Sequence, residues 1–296
     1  MAVAYKGRGK MTPEQVRPPA VAGQFYARDK DSLVHQIESC YRHPLGPGQF
    51  VQPAGHRLKG CCGLVVPHAG YMYSGPVAAH AYAALASLGK PDVAVILGPN
   101  HHLLAPPLAL SPARAWRTPL GELSVDLDMA RLVESRVPGA MPSEMAHRSE
   151  HSIEVQLPFL QHLYGDDVRV VPIAIADQSA RTCLSLGGVL GEALRDAAAV
   201  VLASSDFSHY IPASTAERMD RHALDAILAL DPVRLDGEVR SRRLSMCGWG
   251  PIMAMLECMK GLGAAHARLL KYATSGDVSG DYGEVVAYAA VQVGPD

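Results

Sequence analysis

The sequence of 296 residues has no strong excess of charge, no long apolar segment and no C-x-x-C motif. It has 27 basic and 29 acidic residues, a net charge of −2 with neutral histidine. This balance argues against a protein that binds nucleic acid or a membrane surface. Because no apolar run reaches the length of a bilayer, we expect no membrane-spanning helix. The N-terminus lacks the apolar core of a signal peptide, so we expect a cytoplasmic protein.

Cysteine is too sparse and too scattered for a disulfide framework. Six cysteines spread over a chain of this size predict reduced thiols. We interpret five of them as small buried apolar residues and treat Cys247 separately, as a candidate metal ligand. The sequence also lacks a P-loop, a G-x-G-x-x-G motif and a G-x-S-x-G motif. Nucleotide binding and serine-hydrolase chemistry therefore have no support.

Apolar runs and helical periodicity alternate along the chain. Residues 63–102 predict a strand, a loop, a helix over 76–88, a second strand and a loop, which is a βαβ unit with parallel strands. We also predict a turn over 116–121, a helix over 153–164 and a buried strand over 168–176. The last two strand candidates, 267–273 and 285–293, are expected to be antiparallel at the edge of the sheet.

These elements predict one α/β domain. It has a mixed, mostly parallel central sheet flanked by helices and extends over residues 17–296. Residues 1–16 are expected to form a flexible leader. We find no linker of low complexity and no internal repeat that would divide the chain further.

Histidine, in contrast, is abundant, with 13 residues, and several histidines follow predicted strands. His68 follows the strand 64–67, and His101 with His102 follows the strand 93–97. Because ligands bind at the carboxyl ends of parallel strands, we expect His68 and His101 to lie in one pocket. Further polar groups occur in three other loops, at Glu150-His151 with Glu154, at Asp206 with His209, and at Cys247.

These residue types indicate a metal site. Imidazole is the commonest transition-metal ligand, and a thiolate adds a soft donor. A His/His/Cys set with open positions suits Fe(II), Cu(I) or Zn(II). Asp206 and Glu150 are then candidates for orienting the imidazoles or holding charge. The alternative is that each loop histidine is a hydrogen-bonded structural residue.

Several motifs, in order, make this sequence similar to the Memo family, also known as component B of the AmmeMemoRadiSam system. The similarity covers about 17–293 and rests on RPPAVAGQFY, PHAGYMYSG, ILGPNHH, EHSIEVQLPFLQ, SSDFSHY, MCGWGP and YATSGDVSGD with VVAYAAV. The fold of this family resembles that of the class III extradiol dioxygenases of the LigB type. These are non-haem iron enzymes built on a mixed α/β sheet, so the resemblance implies a LigB-like fold.

The resemblance implies a particular ligand set. The first two metal ligands are His68 in PHAGY and His101 in PNHH, while His102 competes with His101 for that role. The third ligand of the dioxygenases is a glutamate, and in Memo proteins a cysteine replaces it, here Cys247. Fe(II) is the expected ion, copper is an alternative, and zinc is the least favoured of the three.

The resemblance also implies catalytic residues. The acid/base histidine of the dioxygenases corresponds to His209 in DFSHY, and Asp206 supports it. His151 in EHSIE lines the same pocket. A thiolate ligand softens the metal site, favours copper and can itself be oxidised, so the ring-cleaving activity of the dioxygenases does not carry over directly.

We therefore expect a metal-dependent redox enzyme, resembling a dioxygenase, that acts on a small molecule with O₂ or a peroxide. One alternative is a non-catalytic protein in which the same pocket captures a small-molecule or peptide ligand, an anion or a metal ion. The resemblance implies AMMECR-type and radical SAM proteins as partners in that case. A zinc hydrolase is a third alternative, and no nucleic-acid or membrane partner is expected.

Overall fold

Strands and helices alternate in the computed structural model, which describes residues 15–102 and 105–294. In chain order the strands are β1 (Val16–Arg17), β2 (Cys61–Val66), β3 (Val93–Pro99), β4 (Leu108–Leu110), β5 (Ala115–Thr118), β6 (Gly121–Ser124), β7 (Ala140–Pro142), β8 (Arg169–Ile175), β9 (Ala199–Ser204), β10 (His209–Ile211), β11 (Ala267–Thr274) and β12 (Val285–Val293). The helices are α1 (Lys30–Arg42), α2 (Tyr71–Leu88), α3 (Leu127–Arg136), α4 (Glu144–Arg148), α5 (Leu157–Tyr164), α6 (Ala180–Ala193), α7 (Ala213–Leu228), α8 (Pro232–Arg242), α9 (Trp249–Gly261) and α10 (Gly276–Ser279).

The central sheet is mixed, with the strand order β10-β12-β2-β9-β3-β8-β4-β7 and with β11 also paired to β12. The strands β2, β9, β3 and β8 are parallel. On one side β12 is antiparallel to β2 and to β11, and on the other side β4 is antiparallel to β8. The predicted α/β fold with a mixed sheet is confirmed, and the last two strands are antiparallel, as predicted.

Helices cover both faces of the central sheet. In β9, Val200 and Leu202 lie in an apolar core shared with α1, α2 and α5. The alternate residues Val201 and Ala203 lie in a second core shared with α3 and α6–α9. Since successive side chains of a strand face opposite sides of a sheet, the unbroken apolar sequence of β9 reflects burial on both faces.

The prediction of a turn over 116–121 is wrong for its first half. β5 pairs in parallel with β1 and antiparallel with β6, and these strands form a second, small sheet. Trp116 in β5 is fully buried, and its Nε1 donates a hydrogen bond to Ser111 Oγ at 2.8 Å. The local Pro119-Leu120-Gly121 signal marks only the connection between β5 and β6.

Two helices begin elsewhere than predicted. α2 starts at Tyr71, five residues before the predicted start at Pro76, because tertiary packing decides its first turns. Tyr71 is buried, and its hydroxyl donates to the Val155 carbonyl at 2.6 Å. The predicted helix 153–164 is a 3₁₀ turn, Glu154–Gln156, followed by α5, which has a proline in its first turn, where proline is favoured.

The structure describes only the last two residues of the predicted leader 1–16. Residues 1–14 of that leader lie outside the described residues, whereas Val16 lies in β1 and pairs with Ala115. None of the helices within 15–102 and 105–294 has the length and apolar character needed to cross a membrane.

Candidate metal centre and substrate pocket

Three histidines from three loops meet at the carboxyl edge of the parallel strands. His68 follows β2, His101 follows β3, and His151 lies in the loop between α4 and the 3₁₀ turn. A potential ligand atom from each histidine lies within 4.8 Å of those from the other two. The ring centroids are separated by 5.3 Å for His68–His101 and for His68–His151, and by 4.7 Å for His101–His151. Two nitrogens bonded to one ion at about 2.0–2.1 Å lie at most about 4 Å apart, so the three imidazoles are close to the spacing of a metal site.

Hydrogen bonds behind His68 decide which of its nitrogens faces the pocket. The Ser204 hydroxyl donates to the Ser152 carbonyl at 2.6 Å and accepts from Gln156 Nε2 at 3.0 Å. Because a hydroxyl has a single proton, His68 Nδ1, at 2.9 Å from Ser204 Oγ, must donate in that contact. Burial, together with the charges of the other two histidines, lowers the pKa of His68 well below its ordinary value. His68 is therefore neutral near pH 7, with its lone pair on Nε2.

Glu150 orients the second histidine. Its fully buried carboxylate accepts hydrogen bonds from the backbone N–H of His101 at 2.7 Å, from His101 Nδ1 at 3.0 Å and from the Ser152 N–H at 2.8 Å. Burial raises the pKa of Glu150, but its interactions with His101 lower it by more. The ionised carboxylate therefore holds the Nδ1 proton of His101. A carboxylate behind an imidazole is the usual support of a metal-binding histidine.

The environment of His101 differs from that of His102. About a third of the His101 side chain (34%) is exposed toward the pocket that it lines. Burial lowers the pKa of His101, but the hydrogen bond and charge of Glu150 outweigh this effect and raise it. His102 is also exposed, but its backbone N–H donates to Asn100 Oδ1 at 3.0 Å, whereas that of His101 donates to Glu150. Of the two adjacent histidines, His101 is the one that joins the cluster.

Phe25 supports the third histidine. Its ring lies against the ring of His151, with the centroids 4.6 Å apart. Burial lowers the pKa of His151 to about 4, so this ring is neutral near pH 7. The Oε1 atom of Glu150 is 3.5 Å from His151 Nδ1. Phe25 belongs to the RPPAVAGQFY motif, and that motif is the signal in the sequence through which its role could have been found.

Glu154 anchors the segment that carries Phe25 and does not line the pocket. This buried carboxylate accepts hydrogen bonds from the backbone N–H of Ala20 at 2.9 Å, from that of Val21 at 3.0 Å and from the Tyr26 hydroxyl at 2.5 Å. It also forms an ion pair with Arg17. The EHSIE motif thus places two carboxylates in different roles, because only the first of them reaches the histidines.

Cys247 contacts the cluster through His68. Its Sγ lies 3.1 Å from His68 Nε2 and accepts a hydrogen bond from the Asp206 N–H at 3.3 Å. Burial raises the pKa of the Cys247 thiol, and the charge of Asp206 raises it further. In the metal-free protein the thiol is therefore protonated. A metal ion on His68 Nε2 would lie beside this sulfur and favour the thiolate.

The approach of the Cys247 loop to β9 requires glycine at position 248. A Cβ atom there would lie 2.3 Å from the Ser204 carbonyl oxygen and 2.6 Å from Ser205 Cβ. The Gly248 N–H also donates to Ser205 Oγ at 3.0 Å. The backbone of this loop therefore packs directly on the end of β9, which brings Cys247 to His68.

We expect Gly248→Ala to lower the free energy of unfolding by about 1–3 kcal/mol, as forced overpacking does. Gly188→Ala in α6 is the matched control, since a Cβ there has no atom within 4 Å. That control is expected to raise stability by about 0.5–1 kcal/mol. Urea unfolding monitored by circular dichroism measures both changes. Equal stability of the two variants would contradict the close contact.

Asp206 joins two of the loops. Its Oδ1 accepts from the backbone N–H of His68 at 2.8 Å, and its Oδ2 lies 3.9 Å from His68 Nε2. Burial raises the pKa of Asp206 to about 6, although the His68 hydrogen bond and the charge of His209 oppose the shift. Asp206 therefore positions the His68 loop and also contacts Cys247 through its backbone.

His209 lines the pocket, and backbone carbonyl groups hold its ring. Its Nδ1 is 2.7 Å from the Phe207 carbonyl oxygen and 2.9 Å from the Ser245 carbonyl oxygen. Both partners are acceptors, so Nδ1 carries the proton and Nε2 carries the lone pair of the neutral ring. The backbone N–H of His209 donates to Ser245 Oγ at 2.8 Å. Ser245 was not predicted, because its role depends on a contact between distant loops.

The predicted site residues line one cavity of about 810 Å³. The cavity combines the histidine cluster with a group of tyrosines and carboxylates. Its lining residues are Phe25, His68, Ala69, Gly70, Tyr73, His101, His151, Asp206, His209, Tyr210, Ser245, Cys247, Ser275, Ser279, Asp281, Glu284, Val286 and Tyr288. All six of the residues predicted as ligands or catalytic groups are among them.

Comparison with known proteins identifies the family. The family model described as Memo-like protein matches residues 17–292. A MEMO1 family protein of Methanopyrus kandleri is 46% identical over 281 residues, which is 93% of this chain and 98% of the relative. A MEMO1 family protein of Ignicoccus hospitalis is 46% identical over 280 residues, which is 94% of this chain and 98% of the relative.

The fold also has a counterpart among solved structures. The crystal structure of the uncharacterized protein JW3007 from Escherichia coli K12 matches with a TM-score of 0.55 and 14% sequence identity. The match covers 79% of this chain and 99% of that chain, and it shows that the two proteins share a fold. Family model, curated relatives and ordered motifs agree, and the chain belongs to the Memo family.

Proposed function

We propose that this protein is a metal-dependent redox enzyme that binds one iron or copper ion at the histidine cluster. The observation that carries the proposal is the convergence of His68, His101 and His151 at the cavity wall. The Nδ1 protons of His68 and His101 are already bound, by Ser204 and Glu150, so that their Nε2 lone pairs remain for a metal. An ion held there would supply electron transfer and Lewis acidity to a substrate in the cavity.

We propose Cys247 as the third ligand on chemical grounds, while the geometric group of ligand atoms within 4.8 Å contains His151 in its place. Its sulfur is close to His68 Nε2, and it already accepts the Asp206 N–H, a contact that favours the thiolate form. A set of two imidazoles and one thiolate suits iron or copper better than a harder ion. His151 is the alternative third donor, supported by its short distances to the other imidazoles.

His209 is the acid/base group in this proposal. With Nδ1–H bonded to two carbonyl oxygens, Nε2 is the site that takes a proton from the substrate and returns it. The same two carbonyl dipoles stabilise the imidazolium that forms. Asp206 acts by positioning, since it fixes the backbone of His68 and contacts the loop of Cys247.

The metal content after anaerobic purification and reconstitution tests the proposal. We expect about one iron or copper ion per chain in the wild type and loss of the ion in Cys247→Ala, because a thiolate ligand is removed. Cys61→Ala, which changes a partly buried cysteine outside this cavity, is the matched control and should keep the metal. Elemental analysis gives the result.

Two outcomes would contradict the proposal in different ways. A wild-type protein that takes up neither iron nor copper would overturn the metal function. Full metal content in Cys247→Ala together with loss in His151→Ala would overturn the ligand assignment and leave the metal function intact.

A further inference from the structure

A second region of the cavity, which begins beside His209, has a different chemistry. It is lined by Tyr73, Tyr210 and Tyr288 and by Asp281 and Glu284. Among the lining residues in the described part of the chain, none is lysine or arginine. Neither Asp281 nor Glu284 forms an ion pair within residues 15–102 and 105–294. This region of the cavity is therefore aromatic and negatively charged.

Tyr288 is a buried residue whose hydroxyl opens into the cavity. Only 2% of the residue is exposed, and no hydrogen bond joins its hydroxyl to a residue within 15–102 and 105–294. The hydroxyl is not one of the fully enclosed polar atoms without a partner, so it is accessible from the cavity. Burial raises the pKa of this hydroxyl, and the nearby Asp206, Tyr73 and Tyr210 raise it further. A hydroxyl that opens into a cavity and is not bonded to the protein can bind water or a polar group of a ligand.

Tyr210, in contrast to Tyr288, is a large aromatic residue that is mostly exposed. It is 73% exposed, and its backbone has a φ of 57°, in the left-handed region that tyrosine rarely adopts. The residue is held there in β10, which pairs with β12, the strand that carries Tyr288. Strained backbone of this kind concentrates at functional sites, and here it brings a ring to the cavity wall.

We propose that this region selects a substrate that carries a cationic amine, with its ammonium group among the tyrosine rings and beside Asp281 and Glu284. Tyrosine faces attract cations, the Tyr288 oxygen can accept an ammonium N–H, and the two carboxylates supply the opposite charge. A carboxylate or phosphate at the same position would meet negative charge without a lysine or arginine. The inference rests on the proposed function, because it takes this cavity to be the place where the substrate binds.

Three probes test the charge preference directly, because they share a phenyl ring with a two-carbon linker and differ in the charge of the end group. They are phenethylamine, the neutral 2-phenylethanol and the anionic 3-phenylpropionate, with binding measured by calorimetry or NMR titration. We expect phenethylamine to bind about tenfold more tightly than 2-phenylethanol, and 3-phenylpropionate to bind most weakly. Equal affinity for the amine and the alcohol, or tighter binding of the anion, would overturn the inference.

Variants locate the preference within the cavity. The double change Asp281→Asn/Glu284→Gln should reduce the preference for the amine to less than about threefold, and Tyr288→Phe should weaken amine binding by a similar factor without changing the fold. Glu134→Gln, an exposed charge in α3 outside the cavity, is the control and should keep the full preference. An unchanged preference in both pocket variants would overturn the assignment of these residues.

Each titration is made with metal-loaded protein and with protein treated with EDTA. A metal-loaded protein without amine preference would overturn this inference and leave the proposed function standing. Amine preference in a protein that cannot be loaded with iron or copper would support the inference and overturn the metal function. The two failures are therefore distinguishable.

Discussion

Arg17→Met is expected to lower the free energy of unfolding by about 3–5 kcal/mol, because it leaves a buried carboxylate without its charged partner. Arg17 is 6% exposed and Glu154 is fully buried, and the two side chains form an ion pair. The same guanidinium donates to the His147 and Glu150 carbonyls at 2.8–3.0 Å. The substitution therefore removes one charge and three further hydrogen bonds.

Arg17→Met is also expected to affect the histidine cluster. The ion pair holds the N-terminal segment against the loop that contains Glu150 and His151. The Arg17 guanidinium also lies over the Trp116 ring, 4.2 Å from its centroid, and so joins the small sheet to the same loop. A loss of stability here is expected to loosen the contact between Phe25 and His151 as well.

Arg57→Met is the matched control for this experiment. Arg57 pairs with Asp92, but both side chains are largely exposed. An exposed pair contributes little to stability, so the control should be close to the wild type. Urea unfolding at pH 7 measures both variants. If Arg17→Met were no less stable than Arg57→Met, Glu154 would not be a buried charge that depends on Arg17.

The sequence located the histidine loops because the carboxyl ends of parallel strands meet at one edge. β9 lies between β2 and β3, which the sequence did not predict. The inserted strand is parallel to both of its neighbours, so the loops of His68 and His101 remain at the same edge. β9 itself ends at Ser204, whose hydroxyl binds His68. The strand order, which the sequence did not predict, thus gives His68 a hydrogen-bond partner in Ser204.

Other parts of the fold were not predictable because their structure depends on distant partners. Trp116 lies in a strand whose neighbours come from elsewhere in the chain, whereas the local Pro-Leu-Gly signal indicates a turn. Glu150 and Glu154 are close in sequence and both buried, yet they bind different segments. Hydrophobic periodicity predicts which face of a helix or strand is buried, but it does not predict which residues that face contacts.

His101→Ala and His102→Ala give the sharpest test of the metal centre. The two histidines are adjacent and belong to the same loop, but only the His101 ring is held by Glu150 and lies at 5.3 Å from the His68 ring. We expect His101→Ala to weaken metal binding by more than the roughly 10–100-fold that is lost when a supporting partner of a ligand is removed. His102→Ala should bind metal as the wild type does.

Competition with a chelator of known affinity measures metal binding in both variants, and urea unfolding of the metal-free proteins checks their stability. The two variants remove the same residue type from adjacent positions of one loop. A difference in metal binding between them therefore identifies a ligand and does not come from the histidine content of the loop. Equal metal binding by the two variants would remove His101 from the ligand set. If only His102→Ala lost the metal, the loop would have to change conformation when the metal binds. The hydrogen bond from His101 to Glu150 would then belong to the metal-free state.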